Sequence, residues 1–253
     1  MKKLMLFTIS LTMFLTSCKE NKQSISSGET DKVQIIAING SPRDKENTAT
    51  MCKFFLDGAK SANKNVETTL INLYELNFKG CTSCFGCKLA DSKSYGKCAM
   101  EDELTPVLEK IAKADGIAFA SPIYFGEVTG EMRSFLERCL FQYVTYEASR
   151  RTLAPKRIPT ATIYTMNVTE EGSDKSGYNE YFDKLEGLIA RVFQQPKRLC
   201  AYNTYQFEDY SKYKADLFSE PDKREHKEKQ FPIDCQSAFD AGKQMVNSVL
   251  KDE

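Results

Sequence analysis

An α/β fold built on a doubly wound parallel sheet is predicted by three features of the sequence. Short apolar, β-branched runs alternate with amphipathic helical stripes from Val33 onward. Those runs are apolar on successive residues, the mark of strands covered on both faces. The first run, Val33 to Ile38, leads through Gly40, Ser41, Pro42 and Arg43 to Asn47 and Thr48, which is a strand, a short polar loop and a helix start. Such a junction aims free backbone N–H groups at an anion. Five strands with an anion site after the first fit the order 2-1-3-4-5, with helices on both faces and a ligand crevice at the C-terminal ends of the strands.

Each element follows from its pattern. A first helix over Thr48–Ser61 carries Met51, Phe54, Phe55 and Gly58 on one stripe. Val66 to Leu73 is the second strand. Tyr74 to Met100 has no period and holds four cysteines, so it is an excursion from the core. A helix returns over Asp102–Lys113, with Leu104, Val107, Leu108 and Ile111 at i, i+3, i+4, i+7. Gly116–Pro122 is the third strand and Gly130–Leu140 the next helix. Thr160–Met166, a helix over Tyr178–Phe193, and Lys197–Tyr205 follow. Phe207 to Gln230 is charged and tyrosine-rich, a surface cover, and Phe231–Leu250 closes the domain as a helix with Phe239, Gly242, Val246 and Val249 on one face.

The 253 residues are 41% apolar and 28% charged, a globular composition, with 35 basic and 35 acidic residues and no basic aromatic-laced stripe. Nucleic acid is therefore not the expected partner. Residues 1–17 pair a basic start, Met1-Lys2-Lys3, with an apolar run from Leu4 to Leu15, too short to span a bilayer. The run ends in Leu15-Thr16-Ser17-Cys18, which resembles the lipobox of bacterial lipoproteins. That resemblance implies a signal peptide over residues 1–17, a lipid-modified Cys18 holding the chain on an extracytoplasmic membrane face, and a polar tether over residues 18–31. Residues 32–253 then form one domain.

Five side chains, Ser41, Arg43, Asn47, Thr48 and Thr50, add donors around the first loop, with Ala49 among them in the first helical turn. The loop lacks both the G-x-G-x-x-G of dinucleotide sites and the G-K-[ST] ending of Walker loops. Gly-Ser-Pro-Arg-x-x-x-Asn-Thr instead resembles the phosphate loop of the flavodoxin-like NAD(P)H-dependent FMN reductases. A second segment, Ser121-Pro122-Ile123-Tyr124-Phe125-Gly126, leaves the third strand and resembles the S-P-x-Y-x-G stretch with which that family lines the isoalloxazine ring. The resemblance extends over about Val33–Leu250. It implies a flavodoxin-like fold, FMN as cofactor, NAD(P)H as electron donor and a small acceptor such as a quinone or a flavin. It also implies a homodimer, and a third loop, Met166 to Gly177, near the far side of the flavin.

Cys81, Cys84, Cys87 and Cys98 form a C-x2-C-x2-C run with a later fourth thiol. The run resembles the motif of the iron-sulfur flavoproteins within the same family, which implies a [4Fe–4S] cluster. Disulfides, free thiols and zinc remain open readings of the quartet. Cys52, Cys139, Cys200 and Cys235 fall in helices and strands and are expected in the core. His226, the single histidine, lies in the charged run Lys223–Lys229 and is expected on a solvated face. No Ser-His-Asp set assembles around it, which suits an enzyme whose cofactor carries the chemistry. Two rivals stand beside the reductase reading: a membrane-anchored electron-transfer flavoprotein with little NAD(P)H activity, and a flavin-free, disulfide-stapled binding lipoprotein.

Overall fold

The computed structural model describes residues 32–149 and 151–251. The expected signal peptide, Cys18 and the tether lie outside the described residues. Five parallel strands form the sheet: β1 (Val33–Asn39), β2 (Val66–Asn72), β3 (Gly116–Tyr124), β5 (Thr160–Thr165) and β6 (Lys197–Ala201). Their spatial order is β2-β1-β3-β5-β6, and a two-residue strand, β4 (Glu127–Val128), hairpins back onto the end of β3. The five long strands thus run in the expected succession. The numbering differs because β4 is too short to leave a period in the sequence.

Alternation within each strand divides the core into two layers. Ile35 and Ala37 of β1 point to α1 (Asn47–Ala62) and α7 (Phe231–Val249), joined there by Ala118, Ala120, Ile163 and Leu199. Ile36 and Ile38 point the other way, into a cluster with Phe119 and Tyr164. That cluster is closed by α2 (Thr105–Ile111), α3 (Gly130–Phe141) and α5 (Tyr178–Val192). Each fully buried Ile or Phe contributes about 1.5–3 kcal/mol. Two glycines set the distance between α1 and α7. A methyl group on Gly58 would lie 1.9 Å from the Phe239 carbonyl oxygen, and one on Gly242 would lie 1.9 Å from that of Phe55.

Two helices depart from the sequence reading. A short α4 (Glu170–Lys175) follows β5, and α6 (Glu220–Lys229) occupies the stretch expected to be a surface cover. Only Lys223 of α6 is buried, so no apolar stripe announces the helix. Its signals are local instead: Ser219 caps the Asp222 N–H, and Glu220–Arg224 and Glu225–Lys229 pair at i,i+4. His226 is half-buried, not solvated, with Nε2 3.9 Å from Asp234 Oδ2 of α7; burial pushes its pKa down. Among the described residues no helix is long and apolar enough to cross a membrane.

Candidate functional site

A cavity of about 90 Å3 opens at the C-terminal ends of β1, β3, β5 and β6, where strand order reverses between β1 and β3. The first loop supplies Ser41, Arg43, Glu46, Asn47 and Thr48 to its wall. Pro122, Ile123 and Tyr124 enter from β3, Thr165 to Asn167 from β5, and Thr204 and Gln206 from the chain after β6. The two segments singled out in the sequence therefore meet in one pocket, and the third loop reaches it through Met166 and Asn167. Thr204, Gln206 and Glu46 are additions to the expected site residues.

The loop is held by its own side chains. Asn39 Oδ1 accepts from the Ser41 N–H at 3.1 Å, and Ser41 Oγ accepts from the Arg43 N–H at 3.1 Å. Gly40 lies so close to α3 that a methyl group there would sit 2.8 Å from Met132 Cβ. Thr48 and Thr165 hydroxyls share a buried 2.7 Å hydrogen bond, which ties α1 to the end of β5. Arg43 Nη1 donates to the Gln206 carbonyl at 2.8 Å, and Asn47 Nδ2 donates to that of Tyr205 at 2.9 Å. Side chains expected to face an anion thus also clamp the chain after β6 against the loop. The first-turn amides, Asn47 to Ala49, have no intrahelical acceptor, and the N-cap side chain, Glu46, does not cap them. Glu46 is the one carboxylate on the wall.

Thr129 couples the two loops, a role no motif indicated. Its hydroxyl donates to the Gly40 carbonyl at 2.7 Å and accepts from the Met132 N–H, while its own N–H donates to Ser121 Oγ. Beyond Tyr124 the β3–β4 hairpin turns through Phe125 (φ +53°) and Gly126 (φ +85°). Two consecutive positive φ values make the tight turn that matches strand twist, normally given to Asn-Gly. Phe125 is fully exposed and Tyr124 is 43% exposed, so apolar ring surface stands open beside the pocket.

The thiol quartet lies elsewhere. Cys81, Cys84, Cys87 and Cys98 all line one narrow crevice of about 10 Å3, walled also by Phe85, Ala99, Met100, Phe141 and Arg138. Ser83 and Phe85, between these cysteines, adopt left-handed backbone. All eight described cysteines are free, and burial raises the Cys87 pKa. Among the described residues no group of three or more Cys, His, Asp or Glu side chains is placed to hold a metal ion. The buried Arg138 pins the excursion: Nε donates to Cys98 Sγ at 3.3 Å, Nη1 to the Lys79 carbonyl and to Asp102, and Nη2 to the Met100 carbonyl at 3.2 Å. Cys52 and Cys139 are buried in the core as expected, and burial pushes both thiols up to about 12.

The family model of NADPH-dependent FMN reductases matches residues 33–159. An iron-sulfur flavoprotein of Methanocaldococcus jannaschii is 33% identical over 106 residues, 42% of this chain and 51% of that one. One from Archaeoglobus fulgidus is 32% identical over 124 residues, 49% of this chain and 57% of that one. One from Clostridioides difficile is 29% identical over 174 residues, 62% and 75% of the two chains. The chain thus spans little more than half the length of the first two relatives. In fold it is similar to an NAD(P)H:quinone oxidoreductase from Methanothermobacter marburgensis, with TM-score 0.58, 16% identity, and 84% and 96% of the two chains covered. An azoreductase from Bacillus anthracis aligns with TM-score 0.57 at 12% identity, over 84% and 99%.

Proposed function

Because the chain belongs to the NADPH-dependent FMN reductase family, we propose that it is an FMN-binding oxidoreductase that takes electrons from NAD(P)H and passes them to a small acceptor of the quinone or flavin type. The observation that carries this reading is the single pocket formed by the two sequence-distant loops, Ser41–Thr48 and Pro122–Tyr124. The residues present fit the cofactor. Uncapped first-turn amides of α1, with Arg43 and Thr48, suit a phosphate. The Asn167 Oδ1 is buried on the pocket wall without a hydrogen-bond partner, an acceptor for a ribityl hydroxyl. A 90 Å3 cavity admits the phosphate and the ribityl end beside it but not the ring, since ligand pockets usually measure about 300–1,000 Å3. The ring would lie outside it, against the exposed Tyr124 and Phe125. FMN, when bound, supplies the hydride and electron chemistry, and the protein's part is to bind, orient and shield it.

The test is an anaerobic absorption spectrum of the purified protein with flavin assayed on the same sample, followed by NADH and NADPH oxidation. Flavin bands and nicotinamide oxidation support the reading. Flavin without nicotinamide oxidation favours the electron-transfer alternative, and no flavin after adding FMN overturns both.

A second reading concerns the quartet, supported by the relatives' names and by the convergence of four thiols on one crevice. Four sulfurs without a carboxylate or imidazole are the donor set of a [4Fe–4S] cluster, and the buried Arg138 cation suits its negative charge. Uptake would require the exposed Cys84 limb to open, because the crevice is narrow. Iron and sulfide after anaerobic reconstitution, lost in Cys98→Ala, test it. A homodimer and a lipid anchor at Cys18 complete the proposal. Light scattering tests the first, and release of Cys18→Ala into the soluble fraction tests the second.

A further inference from the structure

We propose that Lys223, on α6, is a positioning residue of the flavin site: a buried ammonium behind the phosphate end of the pocket that makes the site prefer FMN to the unphosphorylated flavin. The proposal rests on the FMN reading above.

Lys223 is 1% exposed and is the one buried residue of α6. A helix that buries a single lysine is not held down by apolar packing. Its Nζ donates to the Asn167 carbonyl at 2.7 Å, to Asn203 Oδ1 at 2.9 Å and to the Thr204 carbonyl at 3.5 Å, and it lies 5.0 Å from the centre of the Phe218 ring. None of these partners is charged. Its neighbour Lys229, in contrast, pairs with Glu225 on the surface. Burying an ammonium without a carboxylate costs several kcal/mol, and burial accordingly lowers the Lys223 pKa to about 8.

The missing countercharge has a place to sit. Asn167 and Thr204, which Lys223 holds through their carbonyls, line the cavity together with Ser41, Arg43, Asn47 and Thr48. Arg43 and Asn47 bind the next two carbonyls along, at Gln206 and Tyr205. The loop that suits a phosphate and the segment gripped by Lys223 are therefore two sides of one wall. A phosphomonoester in the cavity would be attracted to the ammonium across the Asn167 and Thr204 backbone, and charge interactions of a buried group exceed those in bulk water. Lys223 would also fix the Asn167 and Thr204 backbone on which the wall depends. Asn203 between them adopts left-handed backbone at φ +47°, a conformation that the ammonium on its Oδ1 holds in place.

The experiment measures FMN and riboflavin affinities for the wild-type protein, Lys223→Met and Lys223→Gln by quenching of flavin fluorescence. Riboflavin shares the ring and ribityl chain and lacks the phosphate. The expected result is a loss of roughly tenfold or more in FMN affinity in both variants, with riboflavin affinity held within about twofold, so that the preference for FMN collapses. Lys223→Arg should keep most of that preference. Equal weakening of both flavins would mean a purely structural staple and overturn the proposal, as would an unchanged preference. Lys223→Gln keeps a donor to the same carbonyls and serves if Lys223→Met fails to fold. A wild-type protein that binds neither flavin would overturn the FMN reading itself, before any variant is compared.

Discussion

At the residue scale, Phe125 carries the clearest conflict between local preference and placement. A bulky aromatic side chain at φ +53° is strained, and full exposure returns no packing energy for it. Phe125→Asn should therefore raise unfolding stability by about 1 kcal/mol in urea titrations while weakening flavin binding, because it removes ring surface beside the pocket. Lys223 gives the second prediction. With a folded-state pKa of about 8 against an ordinary value near 10.5, the folded protein binds fewer protons than the unfolded chain between those pH values. Stability of the flavin-free protein should then rise as pH climbs from about 8 to 10.5, the penalty being fully present below 8. Thermal denaturation across that window should show a difference between wild type and Lys223→Met that shrinks with rising pH.

At the element scale, two contacts fix how helices meet the sheet. Gly58 and Gly242 let α1 and α7 touch backbone to backbone, so Gly58→Ala should cost about 3 kcal/mol or more, since the added methyl meets a carbonyl oxygen and not a flexible side chain. Denaturant midpoints check this. On the opposite layer, Arg138 of α3 holds the Tyr74–Met100 excursion through Lys79, Cys98 and Met100. Arg138→Met strands Asp102 and frees the Lys79 and Met100 carbonyls. It should cost about 3–5 kcal/mol, with hydrogen exchange accelerated first in the cysteine segment. Helical stripes announced α1, α5 and α7, because an apolar face of several turns leaves a period. They were silent on α6, whose inward side is one lysine, and on β4, which is two residues long.

At the scale of the whole molecule, the pocket is made by four strand ends brought together by the sheet order. FMN should stabilise the folded chain by mass action, by about 2.7 kcal/mol at one hundred times its Kd. Riboflavin at the same concentration should raise the melting temperature less, because it leaves the uncapped start of α1 unfilled. Scanning calorimetry with each ligand checks the order. The same sheet order puts the thiol crevice beside α3, on the layer away from α1, so the two candidate centres are carried by different elements.

The sequence by itself determined the layered sheet, the succession of the long strands and the two loops that meet in the candidate pocket. Hydrophobic period, strand-breaking residues and helix starts are local signals, written within a few residues of where they act. It also marked the four thiols that line one crevice, because three of them are closely spaced in a C-x2-C-x2-C run. Only the tertiary structure decided which side chains face which partner. Thr129 bridging both loops, Thr48 bonded to Thr165, Arg43 and Asn47 clamped on residues 205–206, and Lys223 buried behind the pocket join positions far apart in the chain. Such pairs leave no spacing to read, because the distance between them is set by the fold and not by the chain.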